Sequence, residues 1–226
     1  MSGRPYRSAA MRANVTITLL AAMALIALAT ALLDIFAFWL IAKLKAGVSV
    51  ELEIERAQLL TTTMTCLFLG GLVLTTIGFL AWLSRSIENV LPLGGGRPLT
   101  SPRWAIGWWF VPLANLVMPM RVVADLHART RPEGSQGGAA LVTSWWLAWV
   151  AGLVAAYIPV NIYAGHFGSF PWPRHPGETL DAWSAYVTAS TVADALHAAS
   201  ALLAVLVVRR IQRGAEARGI ELAGTT

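Results

Sequence analysis

Two acidic residues and one histidine lie inside long apolar stretches of this sequence. Asp194 and His197 are three residues apart, so they share one face of a helix. Asp34 lies in a separate apolar stretch, one helical turn after Thr30. Ionisable groups are costly in an apolar environment, and histidine exchanges protons near neutral pH. These residues are therefore candidates for handling a proton or an ion.

Hydroxyl and amide side chains accompany the ionisable groups. Ser184, Thr188 and Thr191 precede Asp194 at steps of three or four residues, which predicts a polar stripe on one helix. We expect a polar core made of Thr30, Asp34, Asn161, Thr188, Thr191, Asp194 and His197. A structural alternative stays open, because such groups also bond their own helix backbone or hold a helix bundle together.

No arrangement of residues in the sequence indicates an enzyme. A Ser-His-Asp set, an HExxH stretch and a nucleotide-binding loop are absent. We therefore predict no catalytic residue and no cofactor. We also predict no metal site, because the possible ligands His166, His175 and Glu178 lack a fixed spacing. Cys66 is the single cysteine, so an intrachain disulfide is excluded.

Four long segments with almost no charge must position these residues. They are residues 13–41, 57–83, 139–164 and 182–208. A helix of about 20 apolar residues crosses the hydrocarbon layer of a bilayer. The chain is 56% hydrophobic and only 13% charged, as membrane proteins are. We predict an all-α membrane protein with four transmembrane helices in a bundle, forming a single domain over residues 13–213.

The basic residues fall on alternate sides of these segments. Thirteen of the 17 Lys and Arg residues lie before the first span, between the second and third, or after the fourth. The positive-inside rule places such segments in the cytoplasm. We predict a bacterial cell-membrane protein with cytoplasmic tails at residues 1–12 and 214–226. The pI near 10 then indicates contacts with anionic lipids at the cytoplasmic face rather than nucleic-acid binding.

An interfacial or re-entrant element is predicted at residues 101–131, between the second and third spans. Its first part, residues 101–119, is the Trp-Pro segment, in which tryptophans favour the head-group layer and prolines interrupt helical hydrogen bonding. A short amphipathic helix is predicted over residues 121–129. Candidate contact residues for a ligand or partner are Trp104, Trp108, Trp109, Pro112, Asn115 and Pro119. Asn115 could instead cap free backbone groups.

The same region carries a family resemblance. Trp82, Arg85 and Asn89 form a Trp-x-x-Arg-x-x-x-Asn pattern, and residues 101–116 read SPRWAIGWWFVPLANL. On these residues the chain resembles a multi-pass membrane family, bacterial and largely actinobacterial, known as domain of unknown function 4328. The resemblance implies a shared fold and a membrane location, and it adds Arg85 and Asn89 to the candidate contact residues. It implies no activity.

Three functions are compatible with the sequence. The first is a non-enzymatic scaffold or interaction protein that uses the Trp-Pro segment and the arginine-rich face to contact protein partners or a second copy. The second is a small transporter, or an ion- or proton-handling protein, that uses the polar core, which we expect to open outward. The third is a membrane sensor that passes an outer signal inward. The sequence names no substrate or partner.

Overall fold

The structure is a computed structural model that describes residues 6–131, 138–167 and 176–224, with only the backbone described at 161–167 and 176–179. These residues form six α-helices: α1 (Ala10–Lys45), α2 (Glu51–Glu88), α3 (Pro102–Gly107), α4 (Met118–Thr130), α5 (Ala139–Phe167) and α6 (Pro176–Gly224). A 3-10 turn at Ala114–Leu116 lies between α3 and α4. The described residues contain no strand, so the predicted all-α fold class is confirmed.

Four of the helices are long and apolar enough to cross a membrane, which confirms the four predicted spans. They are α1, α2, α5 and α6. Each of these helices extends beyond the predicted span. Residues 214–224 were expected to be a tail but continue α6. Burial of Ile211, Gln212 and Ala215 holds this end of the helix against the rest of the protein. Large apolar side chains such as Leu67 and Ile77 of α2 are exposed, as lipid-facing residues are.

The chain divides into two compact units, and each unit contains parts of the four long helices. Unit 1 comprises Met1–Ala22, Leu72–Leu147 and Ala201–Thr226. Unit 2 comprises Met23–Gly71 and Ala148–Ser200. The Trp-Pro segment and α4 therefore belong to unit 1, whereas Asp34, Asp194 and His197 belong to unit 2.

Aromatic rings form much of the core of unit 1. The ring centroid of Phe79 in α2 lies 5.5 Å from those of Trp82 and Trp109 and 5.9 Å from that of Trp145 in α5. Such ring pairs contribute about 0.5–1.5 kcal/mol beyond the area they bury. This cluster packs the Trp-Pro segment against α2 and α5.

Local sequence explains how the Trp-Pro segment begins. Ser101 caps α3 by accepting a hydrogen bond from the backbone N–H of Trp104 at 3.4 Å, and Pro102 occupies the first turn. At the other end, the indole N–H of Trp146 in α5 donates to the carbonyl of Leu116 at 3.0 Å. The segment is thus held to α5 by a hydrogen bond as well as by ring packing.

Candidate functional site

Unit 2 contains a cavity of about 320 Å³ among its four helical segments. Small-molecule sites in proteins range from about 300 to 1,000 Å³. Aromatic and aliphatic side chains, including Phe68 and Trp183, form most of the apolar wall. The lining residues with polar side chains are Thr30, Asp34, Gln58, Thr61, Thr65, Tyr186, Ser190, Asp194 and His197.

Asp34 of α1 is only 9% exposed and faces α6. The Thr191 hydroxyl oxygen lies 3.4 Å from Asp34 Oδ2 and 2.8 Å from the carbonyl of Val187. Because a hydroxyl carries one hydrogen, the two acceptors share it in a three-centre bond, and the longer contact with Asp34 is the weaker one. Ser190 lines the same cavity beside this carboxyl group. A carboxylate has about four acceptor positions, so the Thr191 contact satisfies only part of its capacity.

Asp194 of α6 brings a second carboxyl group to the wall of the same cavity. Its Oδ2 atom is buried and accepts no hydrogen bond from any residue that the structure describes. No lysine or arginine of the described chain lines the cavity. A buried charge is costly without a partner, so a ligand that supplied a partner for these carboxyl groups would be stabilised in the cavity.

His197 is held in the cavity wall by close packing. Its ring lies edge-on to that of Phe68, with the centroids 5.7 Å apart. Gly152 of α5 leaves room for the imidazole, since a Cβ atom there would lie 3.2 Å from the ring. The ring is therefore positioned by α2 and α5, although the residue belongs to α6.

The structure brings together most of the predicted polar core. Thr30, Asp34, Asp194 and His197 line the cavity, and Thr191 contacts Asp34. Thr188 does not join them, because it is exposed and donates to the backbone carbonyl of Ser184 at 2.8 Å. At 100° per residue, Thr188 lies about 120° around the helix from Asp194, so the stripe drifts away from the cavity.

Several predicted residues lie outside the described side chains. Asn161 belongs to α5 by its backbone, but its side chain is not described. The same holds for His166 and Glu178, and His175 lies in the undescribed stretch 168–175. Among the residues that are described, no group of three or more His, Cys, Asp or Glu side chains could hold a metal ion.

Sequence reasoning missed several residues of the cavity wall, Phe68 among them. Gln58 and Tyr186 line it, and so does Pro159, which cannot donate the helical bond to the carbonyl of Ala155. A signal was present for Gln58, since Gln58, Thr61 and Thr65 recur at steps of three and four residues on α2. The face shared by Gln58, Thr61 and Thr65 would have indicated which threonines of this helix line the cavity.

Two residues of the Trp-x-x-Arg-x-x-x-Asn pattern build the framework of unit 1. Trp82 is fully buried, and its indole N–H donates to the side-chain oxygen of Gln212 in α6 at 3.4 Å. The amide of buried Asn89 donates to the carbonyl of Arg7 at 2.8 Å and accepts from the N–H of Arg7 at 3.3 Å. Both residues hold chain segments together and line no part of the cavity.

Ion pairs complete this framework. Arg85, the third residue of the pattern, pairs with Glu88 at 2.8 Å on the surface. The predicted amphipathic helix is α4, where Asp125 pairs with Arg129 at 2.7 Å. Arg129 also donates to the carbonyl of Gly95 at 2.8 Å, which ties the glycine-rich linker to α4.

The Trp-Pro segment divides into packed and exposed residues. Trp109 packs in the aromatic cluster, and Pro119 is buried at the start of α4. Trp104 is instead 54% exposed, and its ring centroid lies 4.9 Å from that of Trp108. Pro112 is exposed and Asn115 is half-buried. Neither the Ala114–Leu116 turn nor α4 begins with a side-chain cap, so the structure shows no capping role for Asn115.

Four apolar membrane-crossing helices around a partly polar cavity define the class: this is an α-helical multi-pass membrane protein. The chain belongs to the family described as "Domain of unknown function (DUF4328)", which it matches over residues 47–213. The resemblance seen in the tryptophan-rich sequence patterns is thereby confirmed. No curated protein matches the chain. No solved structure matches it.

Proposed function

We propose that this membrane protein binds a small solute in the cavity of unit 2 and acts as a small transporter. The observation that carries the proposal is a cavity of about 320 Å³ faced by two carboxyl groups, one of which has an unpartnered oxygen, Asp194 Oδ2. A purely structural polar network would satisfy its own buried groups. Here the wall instead leaves both space and hydrogen-bonding capacity.

The chemistry of the wall also suits coupling to protons. Asp, Glu and His are the side chains that relay protons inside membrane proteins. Asp34, Asp194 and His197 are brought to one cavity from two helices. Proton movement that drives the solute would therefore use the same residues that bind it.

A bacterial cell-membrane location, with both chain ends in the cytoplasm, is part of the proposal. It is supported by the arginine-rich ends and middle segment, which favour the cytoplasmic side and its anionic lipids. The cavity would then open to the outer side. In a Cys66→Ser background, cysteine placed at Thr61 should react with a membrane-impermeant thiol reagent added outside intact cells. Protection of that cysteine from outside, with labelling only after lysis, would contradict this orientation.

The proposed function can be tested with a solute panel and a pair of bulky substitutions. Ala156 lines the cavity, whereas Ala151 lies on the same helix, is exposed and does not line it. Thermal unfolding of the purified protein in lipid nanodiscs would be measured with small amines, alcohols and carboxylates of matched size. A bound solute raises the unfolding temperature by mass action.

We expect at least one class of solute to stabilise the native protein and the Ala151→Phe variant. The same solute should fail to stabilise Ala156→Phe, because phenylalanine would occupy part of the cavity. If no class stabilises the native protein, or if Ala156→Phe responds as strongly as Ala151→Phe, the cavity is not a solute site. Uptake of the stabilising solute into proteoliposomes would then separate transport from binding alone.

A scaffold function is the second candidate, and one feature of the Trp-Pro segment favours it. Leu113 is 81% exposed and has a backbone φ of 63°, a region that branched side chains rarely adopt. Nearby Phe110 is 70% exposed. Residues with a strained backbone cluster at functional sites. The partner would be a protein, with a second copy of this chain as the first to test.

A photo-crosslinking amino acid at Leu113 tests the scaffold function in cells. A protein adduct, whether a dimer of this chain or a larger complex, supports it. Adducts with lipid alone would contradict it. Phe110 provides a second crosslinking position on the same exposed surface, and Trp109 is a matched control because it packs inside unit 1.

A further inference from the structure

We infer that the solute bound in the unit 2 cavity is a small organic cation, a molecule with an ammonium group on an apolar or aromatic body. This inference rests on the proposed function and assigns the substrate class of the same site. Charge, volume and the aromatic wall each support it.

The charge of the wall favours a cation. Asp34 and Asp194 both line the cavity, and no lysine or arginine of the described residues lines it with them. Thr191 offers Asp34 only one long hydrogen bond of 3.4 Å, and Asp194 Oδ2 has no partner among the described residues. An ammonium group has hydrogens to donate and a positive charge, so it would supply the partner that Asp194 Oδ2 lacks and would be attracted by both carboxyl groups.

The volume of the cavity favours an organic molecule over a bare metal ion. An apolar cavity of about 150 Å³ holds one benzene molecule, so about 320 Å³ suits roughly a dozen non-hydrogen atoms. The described side chains also include no group of three or more metal-binding residues. A single metal ion would leave most of this space unfilled.

The aromatic wall favours an ammonium group in particular. Phe68, Trp183 and Tyr186 all line the cavity, from α2 and α6. The faces of aromatic rings attract ammonium groups through the ring quadrupole, and tryptophan does so best. The same rings provide an apolar surface for the body of the molecule. The carboxyl groups therefore suit the charged end of an amphipathic cation, and the aromatic rings suit its apolar end.

Three probes that differ mainly in charge test the substrate class. They are 2-phenylethylamine, which is cationic at neutral pH, 2-phenylethanol, which is neutral, and phenylacetate, which is anionic. Binding of radiolabelled 2-phenylethylamine to nanodisc-embedded protein would be measured by scintillation proximity, with empty nanodiscs as the blank. The other two probes would be measured by competition.

We expect the amine to bind at least tenfold more tightly than the alcohol or the carboxylate. Asp194→Asn should weaken amine binding by at least tenfold, and Asp34→Asn should also weaken it. Thr188→Val is the matched control, since Thr188 is exposed on the same helix and does not line the cavity. Its affinity for the amine should be unchanged.

The outcomes separate this inference from the proposed function. If the alcohol or the carboxylate binds as tightly as the amine, and Ala156→Phe abolishes that binding, the cavity is a solute site but not a cation site. If none of the probes binds, the cation class is overturned, and the wider solute panel then decides the proposed function. The comparison of probes on the native protein holds even if an aspartate variant fails to fold.

Discussion

The hydroxyl oxygen of Thr191 lies 3.4 Å from the Oδ2 atom of Asp34, across 157 residues of sequence. This contact joins α6 to α1 within unit 2, beside the cavity. The same hydroxyl donates to the carbonyl of Val187 at 2.8 Å. Thr191 therefore links two helices, whereas Thr188, one turn earlier, bonds only its own helix.

Replacing Thr191 with valine should lower the stability of the protein. Side-chain hydrogen bonds between membrane helices contribute about 0.6 kcal/mol on average, so the expected loss is of that size. Thr188→Val should cost less than half as much, since its hydroxyl contacts no other helix. Reversible unfolding in mixed micelles, followed by tryptophan fluorescence, measures both. Equal losses for the two variants would contradict a linking role for Thr191.

The hydrogen bond between Trp82 and Gln212 should be a large contributor to the stability of unit 1. Trp82→Phe keeps an aromatic ring but leaves the buried oxygen of Gln212 without its indole donor. Leaving a buried polar group unsatisfied costs about 1–3 kcal/mol. Trp39→Phe is the matched control because Trp39 is exposed. Thermal unfolding would show whether only the first substitution lowers the transition temperature.

Close packing of α6 on the end of α4 makes Gly214 intolerant of a side chain. A Cβ atom there would lie 2.6 Å from the carbonyl oxygen of Thr130, which is backbone and cannot rotate away. We expect Gly214→Ala to destabilise the protein by about 1–3 kcal/mol, as overpacking does.

Gly70→Ala provides the opposite case. A Cβ atom at Gly70 meets nothing within 4 Å, and alanine is the better helix former by about 0.5–1 kcal/mol. This variant should therefore unfold at a slightly higher temperature than the native protein. A loss of stability in Gly70→Ala, or none in Gly214→Ala, would contradict the packing described for these glycines.

The buried imidazole of His127 should make the stability of unit 1 depend on pH. His127 is only 3% exposed, and burial lowers its pKa below the ordinary 6.5, with the positive charges of Arg131 and Arg210 lowering the pKa further. Below about pH 6.5 the unfolded chain binds a proton that the folded protein resists. Stability should therefore be complete above this pH and should fall as the pH decreases toward the folded-state pKa.

Unfolding temperatures measured from pH 5 to pH 8 test the role of His127. The native protein should lose more stability on acidification than the His127→Gln variant, which has no proton to bind at this position. Other titrating groups are common to both proteins and cancel in the difference. A His127→Gln profile parallel to the native one would show that this imidazole does not control the pH response.

The four spans and the amphipathic helix could be predicted because hydrophobic length and periodicity are local properties of the sequence. The sequence could also predict that Asp34 lies near Asp194 and His197, because the first and fourth spans place these residues at similar depths in the membrane. The angle between Thr188 and Asp194 follows from helix geometry, but only the packing of α6 shows that the cavity lies on the side of Asp194. Gln58 was missed because it lies at the start of its predicted span, where a polar residue is unremarkable.

The helical end of α6 could not be predicted from residues 214–224, which combine three glycines and three charged residues with few large apolar side chains. What orders them is contact with distant segments: Arg218 donates to the carbonyl of Arg129 at 2.6 Å, and Gly219 lies against the ring of Tyr6. Similarly, the sequence pattern selected Asn89 as a contact residue without revealing that its partner is the backbone of Arg7. Long-range packing decided both cases.

An experimental structure in lipid nanodiscs, with 2-phenylethylamine present, tests the central claim most directly. We predict compact non-protein density in the unit 2 cavity, touching Asp194 Oδ2 and bounded by the rings of Phe68 and Trp183. A cavity closed by its own side chains, or filled by an acyl chain continuous with the bilayer, would contradict the claim that this family member holds a solute among its membrane helices.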